Sequence, residues 1–212
     1  MAGTTDKFVH LHLHTQYSLL DGAIRVPELV RKVKSLGMDT VAMTDHGNMF
    51  GAIEFFDAAK KEGVKPLIGV ETYVAPESRL DRKGRPDDSN NHLTLLAMNQ
   101  TGYRNLCNLM SKAFLEGFYY KPRIDKDLLE KHHEGLVALS GCLKGEVSQK
   151  LSRGQDDAAL QSAAWFRDLF GKENYFLEIM HHPEVEHAEN IKKGLLALSG
   201  KLHIPLVATQ DS

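Results

Sequence analysis

An α/β architecture, in the form of a distorted (βα)7 TIM-like barrel, is the fold class this sequence predicts, and three observations predict it. Seven short apolar runs alternate with stretches of helical period, the rhythm of parallel strands joined by crossover helices. No Gly-x-Gly-x-x-Gly or Walker A pattern follows the first run, which argues against an open nucleotide-binding sheet. His, Asp, Glu and Cys recur just past the ends of the runs, where parallel α/β folds collect their functional groups.

The first strand is expected over residues 8–14, with a loop through Asp21-Gly22 after it. A helix follows from about Val26, with Pro27 in its first turn, to Leu36, and Gly37 ends it. Residues 40–44 form the second strand, closed by Asp45-His46-Gly47-Asn48, and a helix over about 50–61 stops at Gly63. The third strand covers 66–70, running into Glu71 and on toward Val74. Residues 76–91 turn polar and charged and read as a surface loop inserted within the domain. Strand four spans 93–98, before a helix over about 102–116, a turn through 117–123 and a short helix near 126–131. Strand five, 136–140, ends at Gly141-Cys142, ahead of a short helix near 146–151 and a longer one over about 157–170. Strand six at 175–179, a helix at about 186–198 and strand seven at 205–209 complete the order. The expected domain is single, 1–212, with residues 1–7 as a flexible extension.

Bulk properties exclude several classes. The 212 residues are ample for a buried core, and 42% hydrophobic with 25% charged residues is an ordinary globular balance. A net charge of -2 means that contact with nucleic acid must come from local basic groups. No apolar run approaches a membrane span and the first residues do not form a signal peptide, so no membrane partner is expected. Two cysteines, Cys107 and Cys142, are too few for a disulfide framework and fit a reducing cytoplasm.

Eleven histidines is the unusual count. In His10-Leu11-His12-Leu13-His14 the residue types alternate, so an extended strand would put three imidazoles on one face. Imidazoles need polar partners in a core. A solvent-facing edge strand would supply water, whereas a metal site would use them as ligands. Further strand ends favour the second reading: Asp21 in the loop after strand one, His46 after strand two, Glu71 after strand three, Cys142 after strand five and Asp211 after strand seven. Helix capping explains an occasional Asp but not His or Cys. His132-His133, His181-His182, His187 and His203 lie in or beside helical polar segments and are not expected to act. Asp125-Lys126-Asp127 resembles a paired-carboxylate site, but a helix start makes capping the ordinary explanation. Mixed His, Asp, Glu and Cys ligands suit zinc, manganese or iron, and two or three such ions are the usual apparatus for hydrolysing phosphate esters.

These residues, in this order, resemble the PHP (polymerase and histidinol phosphatase) superfamily. The matching pieces are His12-Leu13-His14-Thr15 with Asp21-Gly22, Thr44-Asp45-His46-Gly47, Gly69-Val70-Glu71, the isolated His92, Ser140-Gly141-Cys142 and Ala208-Thr209-Gln210-Asp211. Tyr17-Ser18-Leu19-Leu20, Gly102-Tyr103-Arg104-Asn105 and Gly117-Phe118-Tyr119-Tyr120 further resemble the amino-terminal PHP domain of bacterial DNA polymerase III alpha subunits. The resemblance implies that His12, His14, Glu71 and Asp211 hold one ion, that Glu71, His92 and Cys142 hold a second, and that Asp21 and His46 contribute to a third. It selects His92, which the strand-end argument misses, and leaves His10 and Asp45 in supporting roles. The family pattern continues past Asp211 to a final His, so the chain resembles a truncated piece of a longer polymerase.

The resemblance implies metal-dependent 3'-5' exonuclease or phosphoesterase chemistry on a DNA primer end, with Asp21, His46 and Glu71 as catalytic residues. Lys121 and Arg123, beside Tyr119 and Tyr120, are expected to contact nucleic acid. A different class of function is a scaffold that stabilises the polymerase and docks a separate proofreading subunit. A free-standing small-molecule phosphatase fits the ligands but not the polymerase-like segments. The fragment itself is not expected to polymerise DNA.

Overall fold

The computed structural model describes residues 8–83, 90–182 and 184–212. The expected flexible extension, 1–7, lies outside the described residues, as do positions 84–89 of the expected surface loop. The element order is α1 (Val26–Ser35), β1 (Thr40–Met43), α2 (Ala52–Glu62), β2 (Lys65–Val74), β3 (Asn91–Ala97), α3 (Gln100–Leu115), β4 (Arg123–Ile124), α4 (Lys126–His132), β5 (Leu136–Leu139), α5 (Glu146–Ser152), α6 (Asp156–Phe170), β6 (Tyr175–Ile179), α7 (Ala188–Leu202) and β7 (Leu206–Ala208).

Local chemistry sets the helix limits. Helix α1 buries Val26, Leu29, Val30 and Val33, the three- and four-residue spacing of one face. Gly63 ends α2 at φ 72°, a left-handed conformation that a Cβ would strain. The Asn99 side chain accepts the Gly102 N–H and starts α3 two residues before the expected position. Asp125 accepts the Leu128 N–H and caps α4, so its role at that position is capping as expected.

A curled sheet runs in the order β1-β2-β3-β5-β6-β7, with β4 paired to the end of β2. Helices α3 to α7 cover one core, which includes Leu95, Leu106, Leu109 and Phe166. A smaller core under α1 and α2 includes Leu13, Val41, Met43 and Phe55.

Two features depart from the sequence reading. First, β3 is antiparallel to both β2 and β5, so the sheet is mixed. Parallel neighbours require a crossover, usually helical, and no helix lies between Val74 and Asn91 among the described residues. The chain therefore turns back, and the amino end of β3 lies beside the carboxyl end of β2, with His92 opposite Tyr73. Second, residues 8–14 form an extended segment, not a regular strand. The Ala42 N–H donates to the His10 carbonyl and the Thr44 N–H to the Leu13 carbonyl, while the Leu13 N–H goes to the Thr44 hydroxyl. The two steps from Ala42 to Thr44 thus match three steps from His10 to Leu13, an offset of one that breaks the ladder. On its other side the His14 N–H donates to the Ser212 carbonyl, which links the two edges of the curl.

Candidate metal centre

The inverted strand, the extended segment and the ends of β2, β6 and β7 converge on Glu71. This carboxylate is 1% exposed. Its Oε1 lies 3.3 Å from His12 Nε2 and 2.8 Å from His92 Nδ1, and its Oε2 lies 3.7 Å from His14 Nε2 and in contact with His46 Nδ1. The donor atoms of His12, His14 and Glu71 fall within 4.8 Å of one another, as do those of His46, Glu71 and His92. One carboxylate therefore joins two imidazole groups.

Three further expected ligands stand around this pair. Asp211 Oδ1 is 3.0 Å from His14 Nε2 and 3.8 Å from His12 Nε2. Asp21 Oδ2 is 3.1 Å from His46 Nε2. Cys142 Sγ is 3.6 Å from both Glu71 Oε1 and His92 Nδ1. Gly141, at φ 84°, brings Cys142 in, since a Cβ there would lie 2.6 Å from the His92 carbonyl oxygen. Gly22 shapes the Asp21 loop in the same way, with the Thr15 carbonyl oxygen 1.9 Å from where a Cβ would sit.

The imidazoles are oriented from behind. His12 Nδ1 donates to Glu178 Oε1 at 2.8 Å, which turns Nε2 toward Glu71 as the nitrogen that a cation would take in place of its proton. Ser18 Oγ donates to Asp45 and can therefore accept from His14 Nδ1 at 3.3 Å, which also leaves Nε2 toward the cluster. Asp45 additionally accepts from the Thr15 N–H and hydroxyl, and Ser18 accepts the His46 N–H. His46 stacks on His14 with centroids 3.9 Å apart. Asp45 thus accepts three hydrogen bonds from the segment that carries His14.

Charge and burial act in opposition here. Burial alone would raise the Glu71 carboxyl and lower His12 and His46. The three imidazoles around Glu71 instead hold its carboxyl well below the usual range, and Glu178 with Glu71 holds His12 well above 6.5. Glu71 likewise raises His46. Burial opposes ionisation of Asp211, yet His14 and His12 lower it. Burial, reinforced by Glu71, pushes the Cys142 thiol well up. A divalent cation would reverse that last effect, because the thiolate is the ligand form.

A metal fits these residues. His12 Nε2, His14 Nε2, His46 Nδ1 and Glu71 Oε2 are buried and make no hydrogen bond of acceptable geometry. Four ligand-type atoms meeting at one carboxylate without hydrogen bonds is a costly arrangement that a cation would satisfy.

A model of the PHP domain matches residues 10–182. The chain belongs to the PHP domain family. Among curated relatives, a DNA polymerase III subunit alpha of Treponema pallidum is 50% identical over 96% of this chain and 17% of its own length. One from Mycobacterium tuberculosis is 46% identical over 100% of this chain and 19% of its own length. This PHP chain thus spans under a fifth of these relatives. A crystal structure of a Bifidobacterium adolescentis protein, assigned as a metal-dependent phosphoesterase, has the same fold at TM-score 0.55 and 15% identity, covering 97% of this chain and 87% of that one.

Other expectations fare unevenly. Arg123, expected at DNA, is 4% exposed, and its guanidinium donates to the carbonyls of Gly117, Arg79 and Asp81. That corrects its role to a clamp beneath a loop, because the buried side chain is turned onto those three carbonyls. Lys121 lines a cleft of about 430 Å³ together with Asp21, His46 and His92. His10 packs edge-on against Phe8, and its Nδ1 is buried without a hydrogen bond. The one-residue offset in its segment removes it from the face that His12 and His14 share, so no described contact carries its supporting role. Glu178 was missed by the sequence reading. A lone carboxylate inside the apolar run Tyr175-Phe176-Leu177-Glu178-Ile179 was its signal.

Proposed function

We propose that this PHP domain is a metal-dependent phosphoesterase that removes nucleotides from the 3' end of a DNA primer, as part of a replicative polymerase alpha chain. The observation that carries the reading is the Glu71 carboxylate between two groups of histidines whose ligand atoms are buried without hydrogen bonds. His12, His14, Glu71 and Asp211 would hold one ion, Glu71, His92 and Cys142 a second, and Asp21 with His46 a third. Zinc or manganese suits this donor set best, with iron also compatible. Such ions supply an activated water, neutralise phosphate charge and stabilise the leaving oxygen.

The chain's own groups do the positioning. Glu178 and Ser18 fix two imidazole tautomers before substrate arrives. Glu71 keeps His12 and His46 close despite the tendency of protonated rings to repel. Asp21, more than half exposed at its side chain, stands at the open side of the cluster, where substrate enters. Lys121 offers a cation to the scissile strand. The names of the relatives support placement in a polymerase alpha chain, whose other parts would be covalent partners. A separate proofreading subunit is the partner under the scaffold reading.

Elemental analysis after metal-replete purification tests the centre, with more than one transition-metal ion per chain expected. A 3'-labelled primer tests the chemistry. The parent shortens it with manganese or zinc, and His14→Ala and Asp21→Ala do not. Metal binding without primer loss would favour the scaffold reading, and no bound metal would end both metal-based readings.

A further inference from the structure

We propose that three exposed phenylalanines, Phe50, Phe114 and Phe118, form a stacking platform that receives unpaired bases of a single-stranded DNA 3' end at the metal cleft. The inference rests on the phosphoesterase reading and names the form of substrate that this site takes.

The rings are 62%, 38% and 49% exposed. Single exposed apolar residues are ordinary, but these are contiguous. The Phe50 and Phe114 centroids are 5.8 Å apart, and those of Phe114 and Phe118 are 6.2 Å apart with planes at 23°. Local sequence brings them together from separate elements: Phe50 follows the His46 turn, Phe114 lies in the last turn of α3, and Phe118 lies in the turn after it. Phe50 and Phe114 line the same cleft as Asp21, His46 and His92.

The wall of that cleft also carries cations. Lys121 and Lys144 line it, and Lys121 Nζ sits 5.5 Å from the centroid of Tyr73, whose ring stacks on His46 at 6.1 Å. Flat apolar faces beside ammonium groups complement a ligand with a charged backbone and free π faces. Single-stranded nucleic acid has both, whereas a duplex keeps its base faces stacked on one another. An apolar protein partner would match the rings but leave the lysines and the carboxylate-rich floor unmatched. Bases freed from the duplex would rest on the rings while their phosphate reaches the cluster. A mispaired end would enter more readily, since unstacking costs least where pairing is already lost.

The test measures fluorescence anisotropy of this chain in chelator with a 5'-labelled single-stranded thymidine 12-mer and with a blunt duplex. The single strand is expected to bind more tightly. Phe50→Ala and Phe114→Ala should each weaken it roughly 5- to 140-fold, the loss of one base–aromatic stack. Phe114→Trp should retain binding, and Phe56→Ala, which removes an exposed ring outside the cleft, should leave it unchanged. Hydrolysis of bis(4-nitrophenyl) phosphate with manganese, a diester without bases, should persist in every ring variant. Unchanged single-strand affinity in both alanine variants overturns the platform and points to a protein-covering surface. Equal losses in Phe56→Ala overturn it as well. Ring-dependent binding without diester hydrolysis would instead remove the phosphoesterase reading and leave the platform standing.

Discussion

Glu71 and Glu146 are both buried carboxylates, one inside β2 and the other in the first turn of α5, and they differ in what surrounds them. Glu146 Oε1 accepts from Lys126 at 2.9 Å, Lys150 at 2.7 Å and Ser162 at 2.6 Å. Those cations reach water, and every contact has hydrogen-bond geometry, so the cluster is complete without any ligand. Glu71 has imidazoles in place of ammonium groups, and its Oε2, with three ring nitrogens, lacks hydrogen bonds. Buried charge is therefore a poor indicator of a site by itself. Buried charge with ligand-type atoms unsatisfied is the informative case, because a fold leaves such atoms only where something else completes them.

The largest test of this contrast is Glu71→Gln. It removes the shared carboxylate from both histidine groups, and phosphodiester cleavage should fall by about three orders of magnitude, with metal content lost in elemental analysis. Glu178→Gln should weaken metal binding by about 10- to 100-fold in calorimetric titration, because His12 loses the partner that fixes its tautomer. Unchanged affinity would reduce Glu178 to a packing role. Glu146→Gln should leave metal content unaltered and lower unfolding stability by about 1–3 kcal/mol in denaturant titration, since only hydrogen bonds and an ion-paired charge are lost. A fall in metal content with Glu146→Gln would erase the distinction between the clusters.

A smaller effect separates the two states of the Glu71 cluster by pH. Without metal, the depressed Glu71 carboxyl contributes stability that is full above about 4.5 and is lost as pH falls through its folded value. The raised His12 contributes stability that is full below 6.5 and is lost as pH rises through its folded value. Chelated protein should thus melt highest between those limits and lower in mildly alkaline buffer. Metal requires neutral imidazoles, so metal-induced stabilisation should grow with pH over the same range. Thermal scans with and without chelator would show opposite slopes, and parallel slopes would separate the titrating rings from the metal ligands.

Sequence periodicity was enough to locate almost every element, because helix and strand spacing are local properties of residue order. It also picked out the ligand-type residues near the strand ends, since His and Cys make poor caps. It failed where a decision lay in pairing. Within the segment 8–14 the residue types alternate from His10 to His14, yet the offset between His10 and Leu13 against β1 takes His10 out of register with His12 and His14. The basic residue Arg123 is indistinguishable by type from a surface cation until three carbonyls enclose it.

His92 shows the division most clearly. By residue order it precedes a strand and looks remote from any carboxyl-end site. The direct return from β2 reverses β3, and that reversal carries its first residues to the place where the other strands finish. Residue order alone determined the alternation of elements, the ligand types and the family. Which of those ligands share one carboxylate was decided only by strand direction and register, since both depend on hydrogen bonds between segments far apart in the chain.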